Sequence, residues 1–169
     1  MEVFRRETSS GEDSPRDTAP VNLTGGQLWS CNFAIRREAF VSVAGFEERF
    51  RLPHMEDVDL RTRLLAADYQ IEFVPDACVD HPPRRLPWGL KLARMHRAGV
   101  LYMVLHPPTR GLAWYLQNSL RARLGHIRRS KWSLDSLSAL ASIPFELLGI
   151  ALNWNSWMRW ARIEAALSK

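Results

Sequence analysis

Met55-Glu56-Asp57-Val58-Asp59-Leu60-Arg61-Thr62-Arg63-Leu64 sets two adjacent carboxylates where a helix should begin. Apolar residues at 58, 60, 64 and 65 give that helix a side to bury. Acidic side chains in a first turn face the positive end of the helix dipole, which stabilises their charged forms. A carboxylate fixed on rigid backbone at the mouth of a pocket meets the first requirement of a general base. Acidic residues also start many helices for structural reasons alone. The flanking sequence has to decide between the two readings.

Outward from this stretch, Arg51 to His54 reads as a loop, preceded by Phe46 and Phe50, which return the chain to the core. Ala44-Gly45-Phe46 closes a short helix begun at Arg36-Arg37-Glu38-Ala39-Phe40, with Gly45 as its C-terminal cap. Further back, Gly25-Gly26 breaks the chain before Gln27 to Ile35. That run carries Leu28, Trp29, Cys31, Phe33 and Ile35 and predicts a buried strand or extended segment. Residues 1–24 are polar and include Ser9-Ser10-Gly11-Glu12-Asp13-Ser14-Pro15, which predicts a loop or tail. In the other direction, the central helix should run to about Ala67, and Asp68-Tyr69 should turn the chain. Gln70 to Val74 alternates like a half-buried strand, and Ala77 to His81 predicts a second one, stopped by Pro82-Pro83.

The order of features from 25 to 81 resembles the second half of a family 2 glycosyltransferase of the GT-A fold. The matching pieces are Gly25-Gly26, Ser30-Cys31-Asn32-Phe33-Ala34, Ile35 to Phe40, Ala44 to Phe50, the Glu56 to Arg63 helix, Asp68-Tyr69-Gln70-Ile71, and Val74 to His81. Each is weak alone; with Gly25-Gly26 and Ser30 to Ala34 taken as one piece, six in order at close spacing make a specific signal. The resemblance implies an α/β fold, namely a partial GT-A (Rossmann-like) C-terminal sub-domain with a few short strands, over 25–85. It implies inverting transfer of a sugar from a nucleotide-sugar donor to an acceptor hydroxyl on a sugar or a lipid-linked molecule. Asp57 is then the general base, and Glu56 orients it or hydrogen-bonds the acceptor. Trp29 and Asn32 line the acceptor side, although Trp29 serves equally well as core. A divalent cation, Mg2+ or Mn2+, is implied, with His81 near the metal-bound diphosphate or else a strand-end histidine without a ligand. Arg36, Arg37 and Arg63 are expected to satisfy carboxylates or face solvent.

Relatives carry a nucleotide-binding half ending in an Asp-x-Asp metal motif, and 24 residues precede Gly25 here. Asp57-Val58-Asp59 has that spelling but falls on the helix start. The expectation is a partial chain lacking the donor half: a piece of a longer enzyme, a subunit paired with a separate chain, or a non-catalytic module of the same ancestry. Ala44 and Glu47 also stand where the family usually has Gly and Asp.

Charge divides the chain. Of its 169 residues, 1–80 carry 9 Lys/Arg and 15 Asp/Glu, whereas 81–169 carry 14 and 3. No acidic residue occurs between Asp80 and Asp135. Residues 86–169 predict a basic, Trp-rich helical region with helices over Leu86–His106, Gly111–Arg129, Leu134–Leu152 and Trp154–Leu167. Arginine, lysine and tryptophan interleaved with leucine suit an anionic membrane surface. Leu86–His106, with Lys91, Arg94 and Arg97, is the first candidate to touch it; packing with a solvated basic face is the alternative. Nothing beyond charge points to nucleic acid. Two cysteines, Cys31 and Cys78, give neither a disulfide framework nor a metal-ligand spacing. The start Met-Glu-Val-Phe-Arg-Arg has no apolar h-region. No uncharged apolar run reaches the ~18 residues of a spanning helix. A cytoplasmic protein, peripheral on the inner face of the membrane, is the expectation.

Overall fold

The computed structural model describes residues 2–3, 28, 30, 32–52, 54–74, 88–129 and 134–167. The chain divides into two compact units, Met1–Arg84 and Arg85–Lys169.

In the first unit, helix α1 (Arg37–Ser42) and helix α2 (Glu56–Ala66) pack around one small core. Leu60 and Leu64, four residues apart, form the buried stripe of α2 and meet Leu28 and Ala39. Phe33, Ile35, Phe40, Val43 and Tyr69 close around them. Phe46 adds edge-on ring contacts to Phe40 at 5.6 Å and Phe33 at 6.3 Å.

Both helices end in the same closure. After α1, the Ala44 N–H donates to the Val41 carbonyl and the Gly45 N–H to the Phe40 carbonyl. After α2, the Asp68 N–H donates to Leu65 and the Tyr69 N–H to Leu64. These are paired Schellman bonds that satisfy the last free carbonyls. The left-handed position is taken by Ala44 (φ 60) in one and Asp68 (φ 60) in the other. Gly45 (φ 66) follows one residue after the usual glycine position, with the Phe40 ring packed against it. The Asp68-Tyr69 turn expected from sequence is therefore real, and its physical content is this cap.

The expected α/β architecture is overturned. Strand structure among the described residues is limited to β1 (Glu2–Val3) and β2 (Phe73–Val74), paired parallel over two residues each. Helices dominate everything else. The described residues of Gln27–Ile35 form no strand: they make a turn at Ser30, a bend at Asn32 and a lone bridge at Phe33. It delivers Leu28, Phe33 and Ile35 to a helix-lined core, a task that needs no sheet neighbour. Of Gln70–Val74, only the last two residues pair. The expected strand Ala77–His81 lies outside the described residues. The 1–24 segment, expected to be irregular, contributes β1.

In the second unit, helices α3 (Gly89–Ala93), α4 (His96–Leu105) and α5 (Leu112–Arg129) each lie against the 33-residue helix α6 (Leu134–Ala166). The helix expected over Leu86–His106 is broken at Arg94-Met95 into α3 and α4. Its apolar residues Leu92, Val100, Leu101 and Met103 are buried, so they are spent on packing. The two helices expected from Leu134 to Leu167 are one. Pro144 sits inside α6 on an exposed face, and the helix runs on through it. From Leu137 to Ala166, α6 is long and apolar enough to cross a membrane by length and composition.

The second unit holds a buried polar knot. Glu146 on α6 is 1% exposed. It accepts from His96 Nε2 at 2.7 Å and from Arg123 Nε at 2.8 Å. His96 Nδ1 lies 3.1 Å from the Tyr115 hydroxyl, and the Tyr115 ring leans on Trp154. Burial opposes the charge on Glu146, but the His96 and Arg123 hydrogen bonds outweigh it and hold the carboxyl below its ordinary range. Burial, helped by the Glu146 charge, pushes the Tyr115 hydroxyl well above its usual range.

Candidate active site

The α2 N-terminus is built by an unusual entry. Met55 takes a left-handed conformation (φ 74) and no side chain caps the helix from that position. Asp57 does part of that work from inside the first turn: its Oδ1 accepts the N–H of Val58 at 2.8 Å. Its Oδ2 accepts the backbone N–H of Ser30 at 3.4 Å. Asp57 precedes Leu60 by three residues and Leu64 by seven, so it shares their side of the helix and faces the 28–33 segment. Leu28 and Phe33 pin that segment to the core on either side of Ser30. Asp57 is thus half-buried, aimed by both α2 and the Ser30 turn.

Glu56 is also half-buried, and its Oε2 is enclosed without a hydrogen-bond partner among the described residues. Burial raises its pKa above the ordinary value, and the neighbouring Asp57 charge adds to this. Hydrogen bonds from its own backbone, from the His54 backbone and from the Ser30 side chain pull the other way without cancelling the rise. Arg61 Nε, farther along α2, is likewise enclosed without a partner. Buried polar atoms left unpaired mark places where a ligand or water belongs.

The third carboxylate of the stretch has a different role. Asp59 is 1% exposed and bound by Arg63 through Nε at 2.8 Å and Nη2 at 2.5 Å. Arg63 Nη1 also donates to the Val43 carbonyl at the end of α1. The expectation that these arginines satisfy carboxylates or face solvent is met: Arg63 binds Asp59, and Arg36 and Arg37 are exposed. With Asp59 engaged in this way, Asp57-Val58-Asp59 does not present two free carboxylates to a cation. Among the described residues, no group of three or more His, Cys, Asp or Glu side chains is placed to hold a metal ion.

The structure therefore brings Glu56 and Asp57 together with Ser30. Asn32 lies two residues farther along the same segment, half-buried. Trp29 and His81 lie outside the described residues. Sequence reasoning missed the Ser30 amide and the locked Asp59. The Asp59/Arg63 spacing of four on a helix is a readable sign of an ion pair. The Ser30 contact, 27 residues away, left no local trace.

Residues 16–82 match the family model described as the N-terminal domain of galactosyltransferase. This stretch is accordingly similar to a glycosyltransferase domain, and it contains Glu56, Asp57, Asn32, Trp29 and His81. The match does not confirm family 2 or a C-terminal-half placement, and it covers less than half of the chain. No curated protein and no solved structure matches the chain.

Proposed function

We propose that the first unit performs the acceptor side of an inverting glycosyl transfer, with Asp57 as general base. The observation that supports this most is a half-buried carboxylate aimed by a helix start, beside a second carboxyl with an enclosed oxygen that has no partner among the described residues. The acceptor hydroxyl gives its proton to the Asp57 carboxylate as its oxygen bonds to the anomeric carbon. The bond from that carbon to the nucleoside diphosphate breaks, and the diphosphate leaves with the electron pair. Attack from the face opposite the leaving group inverts the configuration. Glu56 Oε2 accepts a hydrogen bond from a second acceptor hydroxyl, which places the reacting one over Asp57. The donor is a nucleotide sugar, and the acceptor carries neighbouring hydroxyls, as a sugar or a lipid-linked sugar does. The described residues do not provide a ligand set for Mg2+ or Mn2+, and no step here runs through the cation.

A second reading has its own observation. Both Asp57 oxygens are already engaged by backbone N–H groups, as in a purely structural cap. On that reading the unit is a non-catalytic relative that binds a partner. The isolated chain, lacking a donor half, is expected to be inactive, so the experiment is release of nucleoside diphosphate from nucleotide sugars, with sugar acceptors present, by a protein in which the donor half is restored. Asp57→Asn should lower turnover by about 10²-fold or more, the usual weight of a general base, while leaving donor affinity within a factor of about two. Normal turnover in that variant removes Asp57 from the chemistry and leaves the cap reading.

A further inference from the structure

The outward side of α6 carries an unusual load. Leu137, Leu140, Phe145, Leu148 and Leu152 all project from the packed unit, with Leu148 52% and Leu152 73% exposed. They follow helical spacing over 137–152, an apolar strip about 24 Å long at 1.5 Å per residue. The entry to α3 widens it. The Trp88 ring lies 4.9 Å from Phe145 and is 50% exposed. Leu90, 54% exposed, lies beside Gly149 of α6. An apolar patch of this extent is uncommon on a monomeric soluble protein.

Among the described side chains, the exposed charges nearest the strip are basic. Arg159 and Arg162 continue the same side of α6 about two to three turns beyond Leu152, and Lys91 on α3 and Arg94 at its C-terminal end lie within four residues of Leu90; all four are exposed. Of the acids described in this unit, Glu146 is buried against His96 and Arg123, and Glu164 accepts the Trp160 indole N–H. Leucine and phenylalanine flanked by arginine, lysine and a half-exposed tryptophan are complementary to an anionic bilayer surface. Acyl chains take the strip, headgroup phosphates take the cations, and the indole sits at the boundary.

We propose that this face, centred on Phe145, Leu148 and Leu152, seats the second unit in the headgroup region of an anionic lipid bilayer. The helix lies in the plane of the surface. Its opposite side is occupied by α3, α4 and α5, and α3 and α4 fall well short of the ~20 residues needed to accompany it across. The inference stands apart from the glycosyl-transfer reading, because it uses no residue of the first unit.

The test is sedimentation of the full chain with vesicles of phosphatidylcholine alone and with phosphatidylglycerol added. Leu148→Ser/Leu152→Ser probes the strip and Arg159→Gln/Arg162→Gln the charges, each checked for an unchanged helical circular-dichroism spectrum. Binding should require the anionic lipid and should fall by about tenfold or more in each double variant, roughly fivefold per basic residue removed. Trp fluorescence should be quenched by lipids brominated near the headgroup more than by those brominated deep in the chain. Equal indifference to both vesicles overturns the proposal. So does binding that the serine pair leaves unchanged, which is adsorption by charge alone. Concentration-dependent self-association through the strip without vesicle binding overturns it in favour of a second copy.

Discussion

Arg63 joins the buried carboxylate of Asp59, one turn earlier on α2, to the last turn of α1 through the Val43 carbonyl. The pair holds α2, and hence Asp57, against α1. Removing one partner leaves an uncompensated charge in a small core, which costs about 3–5 kcal/mol. Arg63→Met should therefore unfold the first unit at much lower urea. Asp59→Leu/Arg63→Met should recover most of the loss, because an apolar pair of similar volume avoids the buried charge. Urea midpoints of the two variants check this.

Glu146 makes the second unit acid-sensitive. Its native pKa lies below the ordinary 4.5, so its ionised form contributes stability above that value. The contribution is lost as the pH falls through the lowered native pKa. Glu146→Gln should lower the midpoint at neutral pH by an amount that shrinks as the pH falls below 4.5. Six of the seven tryptophans lie at 88 or beyond, so tryptophan fluorescence reports chiefly on this unit. A gap between the two proteins that stays constant down to about pH 3 shows that the carboxyl does not titrate as argued.

Glu56 has the opposite sign. Its native pKa is raised, so its contribution is fully present below the unfolded value and is lost as the pH rises through the native one. Glu56→Gln does not titrate. It should match the parent in acid and exceed it in stability at neutral pH, as hydrogen exchange across α2 would register. Greater stability combined with slower transfer would be the trade expected of a functional carboxyl.

Gly149 marks a close approach of α3 to α6. A Cβ there would stand 2.6 Å from the Ala93 Cβ, which cannot rotate away. Gly149→Ala should cost about 1–3 kcal/mol through overpacking. Adding Ala93→Gly should relieve the clash, so the double variant should be more stable than Gly149→Ala alone by thermal unfolding.

The start of α2 was readable because it is local: two acids, a following apolar stripe and the dipole they face all lie within one stretch. The Asp68-Tyr69 turn was readable for the same reason. The Gln27–Ile35 strand was misread because a short apolar run has no period that separates a strand from a segment laid across helices. A proline in mid-sequence suggested two helices, yet Pro144 faces outward and α6 keeps its course. In the Leu86–His106 stretch, composition cannot say which side is already covered: Leu92, Val100, Leu101 and Met103 are buried, whereas Trp88 and Leu90 stay exposed. The His96, Arg123 and Glu146 knot joins residues up to 50 positions apart, and nothing near any of them announces the other two.

The ribosome makes α6 after α3, α4 and α5, yet all three rest on it. Their leucines and valines leave the exit tunnel before the support they need exists. Chaperones should hold this stretch during synthesis, and a chain cut between Leu105 and Leu134 should expose the apolar sides of α3 and α4 to proteolysis.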